Sequence, residues 1–209
     1  MRCAHDGRKI RVGATLTVDG TPVLCEHGLH ASVRVLDALG YAPTTTRLCR
    51  VRVGGAVVTG SDKIAGTRRT VVWALTERQT DRVLRRFACD VAEGALRAER
   101  SAGREPDPRS WAAIEVARRH AVGRATDEEL DAAWDAAWDA AGDAAGAAAW
   151  AAARDAAWDA AGDAAGAAAW AAARDAAGAA AWAAARDAAW DAQNRLLARL
   201  ATAEHRRQP

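Results

Sequence analysis

The chain has 209 residues, half of them hydrophobic by type and 27% charged, enough for one or two domains with a real core. No stretch of about 18 apolar residues is free of charge, which argues against a membrane-spanning helix, and the polar start MRCAHDGRKIRVG lacks the apolar centre of a secretory signal, so a cytoplasmic setting with reduced cysteines is expected. The net charge of +2 conceals 17 Lys+Arg against 10 Asp+Glu in residues 1–103, and 12 against 17 in residues 104–209.

In chain order, KIRVGATLTV alternates Ile10, Val12, Ala14, Leu16 and Val18, the period of a half-buried strand, and DGTP at 19–22 reads as a turn. HASVRVLDALGYA carries Val33, Leu36, Ala38 and Leu39 at helical spacing, with Ser32 as the expected N-cap. RLCRVRV and AVVTG are β-rich arms around Gly54-Gly55, which predicts a two-residue hairpin turn there. RTVVWAL (69–75) is a further strand.

From residue 77 the period changes. Val83, Leu84, Phe87, Ala88 and Val91 form a 3.6-residue stripe along a helix over 78–99, and GREPDPRS (103–110) interrupts the pattern. WAAIEVARRHAVG predicts a second helix closing on Gly123, and Thr126 with Glu129 is a capping box that starts a third. The chain is therefore expected to be α+β: a β-rich domain at 1–76 followed by an Ala-rich helical domain at 77–209.

Within the helical half, residues 136–155 (AAWDAAGDAAGAAAWAAARD) recur letter for letter at 156–175. Every fourth residue from Trp134 to Trp190 falls in one column of Trp, Gly and Arg that closes on Asn194, in a background of alanine, the strongest helix former. The i, i+4 spacing can stack the guanidinium of Arg154 or Arg186 between indoles, and the interaction column comprises Trp134, Trp138, Trp150, Arg154, Trp158, Trp170, Arg174, Trp182, Arg186 and Trp190. A period of 4 drifts by about 40° per step on a 3.6-residue helix, so no single dry face results. Two architectures follow: short helices broken at Gly142 and Gly162 and folded into a bundle, which is preferred, or one helix of about 100 Å that pairs with another chain.

Chemistry-bearing residues concentrate in LCEHGLHASVRVLDALGYAP, residues 24–43. Cys3-Ala-His5 and Cys25-Glu-His27 are two C-x-H pairs, weak zinc candidates because their spacing is not that of the common sites; structural thiols are preferred. GGAVVTGSDK lacks phosphate-loop spacing, and no serine sits in a G-x-S-x-G elbow. The basic front half invites an anionic partner. Nucleic acid is nevertheless not favoured, because no aromatic residues interleave with the arginines.

Cys25, Gly28, Leu29, His30, Ala31, Asp37 and Tyr41 resemble an uncharacterised domain family of phages and bacteria whose pattern is Cys, then Gly-Phe-His-Ala, then Asp, then Tyr. Leu29 stands where Phe is usual, and GSDKIAGTRRTVV resembles a later segment of that family. The resemblance covers roughly residues 1–76 and implies a phage or prophage setting without a known activity. Residues 80–195, from FACDVAEGAL onward, resemble an Ala-rich helical family labelled as immunity proteins from genomic context; there the helices are short pieces. HGLHASVRVLDALGYA also has the outline of the NAD-gripping segment of ADP-ribosyltransferases, with His30 and Tyr41 in the aromatic positions, although no catalytic Glu can be placed.

These readings converge on a non-enzymatic accessory or interaction protein of a phage, prophage or bacterial defence locus. It would have no catalytic residue, no cofactor and no membrane contact, and a protein partner or a second copy would meet its helical half. The alternative is an ADP-ribosyltransferase-like enzyme that binds NAD through residues 24–43.

Overall fold

The computed structural model describes residues 11–41, 47–103, 105–140 and 179–207. The fold is α+β: an antiparallel sheet in the N-terminal part is followed by helices. Two compact units result, one built from residues up to Thr80 together with the chain's end from Ala201, the other from Asp81–Leu200.

The sheet of the first unit has four strands: β1 (Thr15–Thr17), β2 (Leu29–Ala31), β3 (Cys49–Thr59) and β4 (Ile64–Ala74). β4 is central. β3 pairs along one edge, while β2 and β1 follow one another along the other, with Leu29 opposite Gly66 and Leu16 opposite Arg69. Leu29, Ala65, Val71 and Leu75 are buried, as are Leu36 and Leu39 of the short helix α1 (Val35–Leu39).

Three local expectations are corrected. β3 runs straight through Gly54-Gly55, and the hairpin turns instead at 60–63, closed by Gly60 N–H to the Lys63 carbonyl at 2.8 Å. The glycines serve a β-bulge: the register slips between Gly54 and Val57, Gly55 has φ 78°, and the Ala56 N–H is taken by Thr67 Oγ1 at 3.1 Å. Bulge and turn both need positive φ, so a Gly-Gly pair cannot distinguish them. Ser32 does not cap α1; its N-cap position is Arg34, with no side-chain cap bond. The first strand spans three residues rather than the alternating run from Ile10, which lies outside the described residues. Gly13, at φ 81°, donates its N–H to Val71 just before the strand begins.

The second unit bears out the helical reading. α2 (Glu77–Ser101) buries the expected stripe of Val83, Leu84, Phe87, Ala88 and Val91. α3 (Pro108–Ala121) starts with Asp107 as N-cap and Pro108 at its first turn, and Gly123 follows its end at φ 74°. α4 (Asp127–Ala140) opens on the predicted box, with Thr126 N–H to Glu129 Oε2 at 2.8 Å and Glu129 N–H to Thr126 Oγ1 at 3.2 Å. A core of Cys89, Ala92, Leu96, Ala113, Ile114 and Leu130 is partly covered by Trp111 and Trp134, so large indoles fill the space that alanines leave. α5 (Ala179–Arg206) is continuous over its 28 residues. Gly142, Gly162 and most of the repeat lie outside the described residues.

Candidate functional site

The segment that carries the sequence motif begins with a tight turn. Val23 and His27 exchange backbone bonds at 2.8 and 2.9 Å, which places Cys25 at the tip. Cys25 adopts φ 67°, the one described non-glycine residue in the left-handed region. Gly28 then has φ 120°, and a Cβ there would stand 3.2 Å from Pro22 Cβ and 3.4 Å from Ala65 Cβ, so both its torsion and its packing against β4 require glycine.

His30, in β2, is the clip for this turn. Its Nε2 accepts the Cys25 N–H at 3.1 Å, and its Nδ1 lies 3.1 Å from the Gly28 carbonyl. An acceptor at Nε2 and a donor at Nδ1 define the neutral Nδ1–H tautomer. The His30 carbonyl is held in turn by Arg69 Nη1 at 2.6 Å. His30 therefore sits in the motif as a backbone organiser, with neither ring nitrogen free.

The hairpin turn brings a second group of residues to the same place. Lys63 Nζ donates to Cys25 Sγ at 3.1 Å and sits 3.9 Å from the centre of the Tyr41 ring. The Tyr41 hydroxyl donates to Asp62 Oδ2. Tyr41 and Cys25 hold the Lys63 ammonium in its charged form well above the usual lysine range. The Tyr41 hydroxyl, reinforced by the Lys63 charge, holds the Asp62 carboxyl below the usual range. Cys25, Tyr41 and the Asp62–Lys63 pair thus tie three chain segments together, with Cys25 and Tyr41 exposed and Asp62 and Lys63 half-buried. Sequence reasoning singled out Cys25, His30 and Tyr41 but gave Asp62 and Lys63 no role; only the register of β3 on β4 places their turn beside Tyr41.

The remaining candidates are distributed as follows. His27 Nε2 bonds the Asp19 carbonyl at 2.6 Å, while Cys25 Sγ faces Lys63, so this C-x-H pair is engaged with two different partners. Cys3 and His5 lie outside the described residues. Among the described residues no group of three or more His, Cys, Asp or Glu side chains could hold a metal ion. Cys49 is half-buried and its thiol is raised by burial, against the pull of Arg69 and Arg47. In the helical column, Trp134 packs on the core of the second unit, Arg186 Nη2 lies 3.6 Å from Asp187 Oδ1, and the Trp190 carbonyl accepts from Asn194 Nδ2 at 3.0 Å. Trp138 and Trp182 are on α4 and α5, with side chains outside the described set, as are Trp150, Arg154, Trp158, Trp170 and Arg174 altogether.

No curated protein and no solved structure matches this chain. Its N-terminal part, residues 1–82, matches the model of a domain of unknown function (DUF7666), which spans the sheet, the Cys25 turn and the Tyr41–Lys63 contact just described.

Proposed function

We propose that the chain is a non-enzymatic interaction protein, an accessory or immunity factor of a phage, prophage or bacterial defence locus. Its N-terminal domain presents a fixed surface, and its Ala/Trp-rich half packs against a protein partner or a second copy. The genomic setting is read from the two sequence resemblances. The non-enzymatic part is supported by one observation: the motif closes on itself. His30 spends both ring nitrogens on the backbone of residues 25 and 28, and Lys63 is engaged by Cys25 and Tyr41. Residues bonded in this way build a rigid surface feature; a general base or nucleophile needs a free atom aimed at a substrate.

The competing NAD reading needs the faces of His30 and Tyr41 for a nicotinamide ring, and Lys63 already lies over Tyr41. Calorimetric titration of the full chain with NAD, with a chromatographic search for released nicotinamide, tests the choice. No heat and no nicotinamide are expected. A saturable heat that Tyr41→Ala abolishes overturns the proposal. The gene's neighbourhood is a second check: a toxin, tail or lysis gene beside it supports the setting, and a metabolic operon counts against it.

A further inference from the structure

One face of the sheet of the first unit carries exposed arginines on β3 and β4. Register places Thr15, Thr70 and Arg52 in one row across β1, β4 and β3, and Thr17, Arg68 and Gly54 in the next. Residues directly opposite share a face, and residues two apart on a strand return to it. Arg50 is exposed as well, but a register slip between Arg50 and Val51 sets it opposite Trp73, outside these two rows. The intervening row, Leu16, Arg69 and Val53, belongs to the other, more covered face. The Arg68 guanidinium lies beside Gly54, 3.7 Å from where a Cβ would be, an ordinary contact distance.

Some arginines elsewhere are paired. Arg34, Arg85, Arg97, Arg109 and Arg118 each meet a carboxylate. Among the described residues no ion pair engages Arg50, Arg52 or Arg68. Residues 1–76 as a whole hold 11 Lys+Arg against 5 Asp+Glu.

From this face we infer a binding surface for the phosphate backbone of double-stranded nucleic acid, read without sequence preference. Guanidinium groups are the donors that phosphate oxygens take, while the Thr15 and Thr70 hydroxyls bond each other at 2.7 Å beside them. The lack of an aromatic among these positions, which argues against single strands, is no obstacle for a duplex whose bases stay stacked. The inference rests on the interaction reading above and names a partner for its N-terminal surface.

The test is fluorescence anisotropy of a labelled DNA duplex of arbitrary sequence with the full chain, across a salt series. Binding at low salt is expected, with log K falling against log salt at a slope of about −2 to −3, since each neutralised phosphate contributes about −0.9. R52Q/R68Q should weaken binding at least about fivefold and flatten the slope by about 1.8, while R52K/R68K largely restores it. The control R86Q/R97Q, which removes the same charge from α2, should cost much less. No binding at low salt overturns the inference, as does an equal loss in the control. A self-association that R52Q/R68Q abolishes, in the absence of any DNA binding, overturns it in favour of the acidic half of a second copy. None of these outcomes bears on NAD, so the two proposals fail separately.

Discussion

The backbone N–H of Cys25 donates to Nε2 of His30 at 3.1 Å, which makes a side chain five residues on the fixative for a cysteine held at φ 67°. A non-glycine residue in this region costs about 1–2 kcal/mol, and the His30 clip is what offsets it. Removing the clip by His30→Ala should cost about 1–2 kcal/mol, because the Cys25 N–H and the Gly28 carbonyl both lose their partner. Cys25→Gly should be neutral or stabilising by up to about 1 kcal/mol, since it relieves the backbone and gives up only an exposed contact with Lys63. Cys25→Val should be the most damaging of the three, a β-branched residue at positive φ. Chemical denaturation of the full chain checks the order; a stabilising His30→Ala would contradict it.

Tyr41→Phe should act on charge more than on fold. The phenol donates to Asp62, and this is the leading reason that the carboxyl lies below its usual range. Loss of the hydroxyl should raise the Asp62 value toward that of an ordinary aspartate and relax Lys63 downward. The direction follows from hydrogen bonding to the charged form: with the donor gone, protonation of Asp62 becomes easier and occurs at higher pH. Carboxyl-detected NMR titration of Asp62 measures this directly, and an unchanged value in the variant would remove Tyr41 from the account.

Two glycines should respond with opposite sign to the same substitution. A Cβ on Gly66, near the start of β4, would stand 2.5 Å from Val53 Cγ1 and 2.9 Å from the Gly54 carbonyl. Gly66→Ala should therefore destabilise by about 1–3 kcal/mol, through strain on the β3 bulge. Gly94, exposed on α2, has nothing within 4 Å of the corresponding position. Gly94→Ala should stabilise by up to about 1 kcal/mol from helix propensity alone. Thermal melts of the two variants separate the cases, and a shared sign would mean that the sheet absorbs the methyl by moving.

The parts of this fold that were readable from sequence are those governed by neighbours in the chain. Thr126 and Glu129 are three residues apart, and their mutual capping needs nothing from elsewhere; the stripe from Val83 to Val91 is likewise local. A second box, Thr76 with Gln79 (Gln79 N–H to Thr76 Oγ1 at 3.2 Å), is equally visible in TERQ, although a reading led by hydrophobic period passes over it. What sequence could not supply is register. Gly54-Gly55 is a bulge and not a turn because Thr67 on the opposite strand fills the gap. Lys63 reaches Cys25 from 38 residues away, and Arg52 and Arg68 share a face only once β3 and β4 are aligned. Cys25 gives no hint of its left-handed torsion, a conformation that composition assigns to glycine or asparagine.

Cys89 should make the second unit sensitive to alkali. It is fully buried against Ala92, Leu96 and Ile114, and burial pushes its thiol up to about 12, against a partial pull from Arg118. In the unfolded chain a thiol titrates near 8.5. The folded value lies above the unfolded one, so the associated stability is fully present below about pH 8.5 and is lost as pH rises from there toward 12. The unfolding free energy should accordingly fall on the alkaline side with a slope approaching one proton, on the order of 1 kcal/mol per pH unit. Cys89→Ala removes the titrating group and should flatten that limb relative to the parent, whatever it costs at neutral pH through lost packing. Comparing the two slopes isolates the cysteine from other groups that titrate there. Thiol labelling gives an independent reading: among the described cysteines, Cys25, exposed at its turn, should react first, Cys49 more slowly, and Cys89 only at the rate of opening. A Cys89 that labels as fast as Cys25 in the folded chain would mean that α2 and α3 do not close over it, and the core described for this unit would have to be redrawn.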